Sequence, residues 1–220
     1  MALKAVFFDI DNTLYDSATL SAMARRNSVL AMIDAGLQVP EEQALRDLQE
    51  VIEAHGPNHP RHYDELLKVY GMDEPRIIAA GVVAYEHTKI AYLKPFPGVV
   101  PTLMELKRRY RLGVISNGLR IKQWEKLVGL RLHHFFDVVV TSEECGCEKP
   151  APGIFEAALR ALDVRPSEAL MVGDRYDSDV VGARNAGMHA LWFKREGEPK
   201  ASNEIKGFSE ILDWIKGSRW

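Results

Sequence analysis

Cysteine is scarce in this sequence. It has two, Cys145 and Cys147, with a single residue between them. At that spacing they are poorly placed to bridge each other, and no third cysteine is available for a disulfide framework. They also offer too few ligands for a zinc site. We therefore expect a cytoplasmic protein in which both cysteines are small, fairly apolar residues beside a functional loop.

Long apolar runs and an excess of positive charge are also absent. The run from Ala5 to Phe8 is cut by Asp9, which leaves it too short for the core of a signal peptide. No stretch of about 18 apolar residues is present to span a membrane. Lys and Arg number 28 against 31 Asp and Glu, for a formal net charge of -3. Nucleic-acid-binding domains usually carry a basic excess, so we expect neither a nucleic acid nor a membrane as partner.

What is present is a pattern of short, buried-looking strands. The chain has 220 residues, enough for one sizeable domain or a core with a smaller attached domain. Near-continuous apolar runs are typical of parallel strands covered on both faces. Helical patterns separate the later runs, which predicts a doubly wound parallel α/β sheet. The predicted strands are 4–8, 112–115, 136–141, 169–173 and 189–193.

The chain between the first two predicted strands has a different character. It contains no convincing strand, and its helical patterns cover about 18–35, 40–55, 60–70 and 75–92. A Pro-rich segment, "LKPFPGVV", leads back to the sheet. We therefore expect an α/β core formed by 1–14 and 95–220, split by an inserted helical domain at 15–94.

Polar side chains follow four of the predicted strands. Ligands of open parallel sheets bind at the carboxyl ends of the strands, so these side chains should gather at one edge. A cluster of carboxylates without histidine or cysteine favours Mg²⁺. A lysine, a hydroxyl and a Gly-containing turn suit phosphate oxygens, so the pattern predicts metal-assisted phosphoryl transfer. The residues are Asp9 and Asp11, then Ser116, Asn117 and Gly118, then Lys149, and last Asp174 with Asp179 five positions later.

Four short motifs in this order resemble the signatures of the haloacid dehalogenase superfamily of hydrolases. They are "DIDNT", "ISNG", "EKP" and "VGDRYDSD". The resemblance covers the whole chain and identifies the insert as a C1-type cap domain. The stretches "YLKPFPGVVPTLMELK" and "KQWEKL" are most similar to a subgroup with glyceraldehyde 3-phosphate phosphatases and N-acylneuraminate 9-phosphatases. The resemblance implies Mg²⁺-dependent hydrolysis of a small sugar or triose phosphate through an aspartyl-phosphate.

The resemblance also implies a role for each motif residue. Asp9 corresponds to the nucleophile and Asp11 to the general acid and base. The Mg²⁺ ligands would be the carboxylates of Asp9 and Asp174 with the main-chain carbonyl of Asp11. Lys149 would offset negative charge and, with Ser116 and Asn117, bind the phosphate.

Three further residues are expected to support this site. Thr13 should organise its loop by hydrogen bonding. Gly118 should serve a tight turn, with an N–H that could face the phosphate. Asp179 should hold a metal-bound water, the alternative being that it caps the helix that follows.

Three other functions stay open at this point. A phosphomutase shares all four motifs. A dehalogenase of the superfamily lacks the second aspartate, so Asp11 argues against that activity. A phosphoacceptor signalling module has no helical insert between its first two strands, and here Lys149 precedes the strand of Asp174. The sequence leaves the physiological substrate and the oligomeric state open.

Overall fold

Six parallel strands form a single sheet at the centre of the α/β core. The computed structural model describes residues 2–195 and 203–218. The strands lie in the order β3-β2-β1-β4-β5-β6, and every neighbouring pair is parallel. They are β1 (Ala5–Phe8), β2 (Arg111–Ser116), β3 (Val138–Thr141), β4 (Ala169–Gly173), β5 (His189–Phe193) and β6 (Glu204–Ile205). The five predicted strands and the parallel sheet are confirmed. The two residues of β6 were missed because they are too few to show a pattern.

Helices cover both faces of this sheet, as the doubly wound prediction requires. Every residue of β1 and β4 is buried, which explains why these strands are apolar without alternation. Phe7, Phe155 and Met171 belong to one buried cluster between the sheet and its helices. The helices of this part are α5 (Val99–Lys107), α6 (Arg120–Gly129), α7 (Ser142–Cys145), α8 (Pro152–Ala161), α9 (Gly182–Asn185) and α10 (Ser209–Gly217).

All the named elements between β1 and α5 are helices. It contains α1 (Ser17–Asp34), α2 (Glu41–His55), α3 (His62–Val69) and α4 (Pro75–Tyr92). Proline precedes α2 and begins α4, positions where its missing N–H and fixed φ suit a helix start. Ser17–Leu93, the helical insert, forms one compact unit, and the chain on either side of it forms the other.

The helical insert has its own apolar core. Met32, Leu48, Leu66 and Ile77 are almost completely buried in one cluster. A partly buried hydrogen bond accompanies this packing: the hydroxyl of Tyr63 donates to Ser28 Oγ at 2.7 Å. None of the helices in the described ranges combines the length and the hydropathy needed to cross a membrane.

Candidate active site

The strand order places the acidic motifs on both sides of the switch point of the sheet. The order reverses between β1 and β4, and such a switch point opens a crevice beyond the carboxyl ends of the strands. Parallel register sets Phe8 level with Val114 of β2 and Val172 of β4. The residues that follow these strands, Asp9 and Asp174 among them, therefore emerge at one level of the same edge.

Three carboxylates meet at this edge. One oxygen from each of Asp9, Asp174 and Asp179 lies within 4.8 Å of the others. Burial raises the pKa of Asp9 to about 7, with Lys149 opposing that rise and repulsion from Asp179 adding to it. Burial, followed by repulsion from Asp179, raises the pKa of Asp174 to about 6. The carboxylates are all hard oxygen donors, so the cluster fits a divalent cation such as Mg²⁺.

Lys149 supplies the ammonium of the cluster. Its Nζ donates to Asp9 Oδ1 and Asp179 Oδ1 at 2.6 Å each, and to the Ile115 carbonyl oxygen at 2.9 Å. An ammonium has three donors, and these contacts use all three. Burial disfavours its charge, but attraction to the two carboxylates outweighs that effect and raises the pKa of Lys149. The site therefore keeps a permanent cation beside Asp9.

Asn117 holds the loop that carries Lys149. Its side-chain oxygen accepts from the Lys149 N–H at 2.8 Å, and its side-chain nitrogen donates to the Lys149 carbonyl at 3.1 Å. The sequence pointed only to phosphate binding by Asn117, so this use of its side chain to hold the Lys149 loop was missed. Ser116, expected beside it, is buried at the end of β2.

Gly118 forms the predicted tight turn. Its φ of +125° lies in the region that favours glycine. Its N–H donates to Ser142 Oγ at 2.9 Å, so a side chain already engages it. The phosphate contact suggested for this N–H stays a prediction, and it would require the N–H to leave Ser142.

Asp174 is held from two directions. Thr13 is fully buried, and its hydroxyl donates to Asp174 Oδ1 at 3.3 Å, in keeping with the hydrogen-bonding role expected of it. The indole N–H of Trp192 donates to the Asp174 carbonyl at 2.8 Å. Trp192 was not predicted as part of the site. A tryptophan in an apolar strand gives no sign that its N–H bonds to a carbonyl at the end of the neighbouring strand.

Asp179 lies inside a helical segment and does not begin one. A π-helical turn, Tyr176–Val181, precedes α9. The capping alternative for Asp179 is therefore wrong. Its carboxylate accepts from the Arg175 N–H at 2.9 Å as well as from Lys149. A widened turn of this kind is frequent at functional sites, and here it aims a fully buried carboxylate at the cluster.

Asp11 stands apart from the three clustered carboxylates. Its Oδ1 accepts from the Tyr15 hydroxyl at 2.8 Å and its Oδ2 from Lys126 Nζ at 2.6 Å. Lys126 also donates to Gln123 at 3.2 Å. Neither α6 residue was identified from the sequence. The available signal was Gln123, a polar residue on the buried face of an amphipathic helix.

Comparison with known proteins agrees with this geometry. The family model described as haloacid dehalogenase-like hydrolase matches residues 3–187. A glyceraldehyde 3-phosphate phosphatase of Methanopyrus kandleri is 50% identical, with 97% of each chain covered. An N-acylneuraminate-9-phosphatase of Homo sapiens is 30% identical, covering 89% of this chain and 84% of that protein.

A solved structure shares the fold over its whole length. The HAD phosphatase from Thermococcus onnurineus is 28% identical with a TM-score of 0.72, covering 99% of this chain and 100% of that one. The family match spans well over half of the sequence and includes all four motifs. The chain belongs to the haloacid dehalogenase-like hydrolases.

Proposed function

We propose that the protein is a Mg²⁺-dependent phosphatase of a small phosphorylated metabolite, with glyceraldehyde 3-phosphate as the first candidate. The observation that carries the proposal is the buried cluster of Asp9, Asp174 and Asp179 around Lys149. Its three carboxylates outnumber its one cation, so it attracts a divalent ion. The candidate substrate is supported by the relative that is 50% identical over nearly the whole chain.

Asp9 is the proposed nucleophile. A carboxylate oxygen attacks phosphorus, the ester bond to the leaving oxygen breaks, and an aspartyl-phosphate forms on Asp9. Lys149 holds Asp9 by Oδ1, which fixes the plane of the carboxylate. A bound Mg²⁺ would be held by Asp9, Asp174 and the Asp11 carbonyl, with Asp179 in support, and would offset the negative charge of carboxylate and phosphoryl group.

Asp11 is the proposed proton donor and acceptor. It protonates the leaving oxygen in the first step and takes a proton from the attacking water in the second. That water cleaves the aspartyl-phosphate, so free phosphate leaves and the Asp9 carboxylate is restored. We assign phosphate binding to Ser116, Asn117 and Lys149, and the role of a cap to residues 15–94, on the strength of the family resemblance. The two unpaired cysteines support a cytoplasmic location.

A phosphate-release screen tests this function. We expect the purified protein to release phosphate from glyceraldehyde 3-phosphate in preference to other small sugar and triose phosphates. Excess chelator should abolish the activity and Mg²⁺ should restore it. Asp9→Asn should reduce turnover to background while circular dichroism shows an intact fold.

The same screen can contradict the proposal. A phosphomutase would convert a sugar phosphate to its isomer without net release of phosphate, which product analysis detects. Full turnover in excess chelator would remove the role of the metal. An Asp9→Asn variant with near-normal turnover would remove the proposed nucleophile.

A further inference from the structure

The carboxylate of Asp11 is restrained at both of its oxygens. Tyr15, four residues along the same loop, donates to Oδ1 at 2.8 Å. Lys126, from α6 and 115 residues away in the chain, donates to Oδ2 at 2.6 Å. A carboxyl group offers about four lone-pair sites, so two donors leave it able to exchange a proton with a substrate. The restraint therefore fixes the direction of the group without blocking its proposed use.

Lys126 is itself seated by a buried amide. Gln123 is 3% exposed, and its Oε1 accepts from Lys126 Nζ at 3.2 Å. The Nε2 of the same side chain donates to the Asn117 carbonyl at 2.8 Å. Gln123 and Lys126 are three residues apart, so they lie on one face of the helix. This row of contacts links the turn after β2 to the carboxylate of Asp11.

A stabilising surface ion pair does not account for this arrangement. The neighbouring lysine of the same helix, Lys122, forms an exposed pair with Glu125 within its own turn. Lys126 instead reaches a partner on another part of the chain, and only 27% of its side chain is exposed. Ordering a long side chain against a partner costs conformational entropy, and an ion pair near the surface usually contributes too little stability to offset that cost.

We propose that Lys126, seated by Gln123, is a positioning residue that holds the Asp11 carboxyl group toward the leaving oxygen. The inference rests on the proposed function and adds to it a residue that positions the general acid. Alkoxides leave poorly without a proton, whereas nitrophenolate leaves almost unassisted. Proton transfer requires hydrogen-bond geometry between Asp11 and the leaving oxygen. The rate of hydrolysis should therefore depend on Lys126 far more for alkyl phosphates than for activated aryl phosphates.

The dependence on leaving group tests this role. For each protein kcat/KM is measured with Mg²⁺ on glycerol 3-phosphate and on phenyl phosphates of graded leaving-group acidity, ending at p-nitrophenyl phosphate. We expect Lys126→Met to lower kcat/KM for the alkyl ester roughly 10- to 100-fold, a part of what a general acid supplies, and about 3-fold or less for p-nitrophenyl phosphate. Lys126→Arg, which keeps a charged donor, should restore most of the loss. Lys122→Met, whose exposed side chain pairs only within the same helix turn in the described structure, is the matched control and should behave as wild type.

The outcomes separate this inference from the alternatives. The ratio of two kcat/KM values from one preparation does not depend on the folded fraction, so partial misfolding of Lys126→Met does not obscure the result. Equal losses on all esters would mean a structural role or general attraction of phosphate, and would overturn the proposal. Wild-type kcat/KM of Lys126→Met on every ester would do the same. A wild-type protein that releases phosphate from no ester would overturn the proposed function, and this inference with it.

Discussion

At the scale of single residues, the site depends on an imbalance of charge in a buried place. Lys149 has 3% of its side chain exposed and contacts two carboxylates that are also buried. Its ammonium offsets only part of the negative charge of Asp9, Asp174 and Asp179. Because a divalent ion would relieve the repulsion that remains, the proposed nucleophile belongs to the same group of residues that would attract the metal.

Removing the lysine should therefore damage both activity and stability. We expect Lys149→Met to lower kcat/KM by about 10²–10³-fold, since a cation placed to stabilise developing charge is lost. Without metal the variant should be less stable by about 3–5 kcal/mol, because the carboxylates stay buried without their partner. Added Mg²⁺ should recover part of the stability and little of the activity. Denaturant unfolding in Mg²⁺ and in chelator measures this, and equal stability of variant and wild type in chelator would contradict it.

At the scale of elements, the end of β4 and the π-helical turn Tyr176–Val181 position one another. Gly173 is the last residue of β4, and a Cβ there would lie 2.3 Å from Asp179 Oδ2. The strand can therefore pass this close to the buried carboxylate only where it carries no side chain. Asp179 can therefore reach Lys149 only because Gly173 has no side chain.

A methyl group at Gly173 tests this packing. We expect Gly173→Ala to push Asp179 away from Lys149, with a cost of about 1–3 kcal/mol for overpacking and a large loss of activity. Gly217→Ala is the matched control, because a Cβ at the end of α10 meets nothing within 4 Å. Thermal unfolding and phosphate release from both variants provide the comparison. A Gly173→Ala protein as stable and active as the control would show that Asp179 has room to move.

At the scale of the whole molecule, stability should depend on pH and Mg²⁺ together. The raised pKa values of Asp9, about 7, and Asp174, about 6, lie above the ordinary value of 3.8. The folded state therefore holds protons that the unfolded state has lost. Stability from these groups is present in full below about pH 4 and is lost as pH rises through 6 to 7.

Metal binding should reverse that loss. Mg²⁺ binds the ionised carboxylates, so we expect the Mg²⁺-induced rise in Tm to be larger at about pH 8 than at about pH 5.5. At a concentration about 100 times Kd the ion would stabilise the fold by about 3 kcal/mol. Thermal unfolding with Mg²⁺ or chelator at both pH values measures the effect. An Asp9→Asn, Asp174→Asn double variant is the control, and an equal rise at both pH values in the wild type would contradict the assignment.

The sequence alone determined the sheet and the set of motifs at its edge. Apolar runs of four to six residues predict buried parallel strands by a local pattern, and parallel strands end at one edge of the sheet. Asp9 and Asp174 could therefore be expected together although 165 residues separate them. The bounds of the four helices of the insert follow equally local signals, such as the prolines at the starts of α2 and α4.

Only the tertiary structure decided which side chains hold these residues in place. Lys126 reaches Asp11, and Trp192 reaches the carbonyl of Asp174, only because of how α6 and β5 pack against the sheet. A sequence shows which face of a helix is apolar, but not where a polar side chain on that face finds its partner. The hydrogen bond from the Gly118 N–H to the Ser142 hydroxyl could not be read from the sequence for the same reason. These contacts join distant parts of the chain, and their distances and angles exist only once the elements have packed.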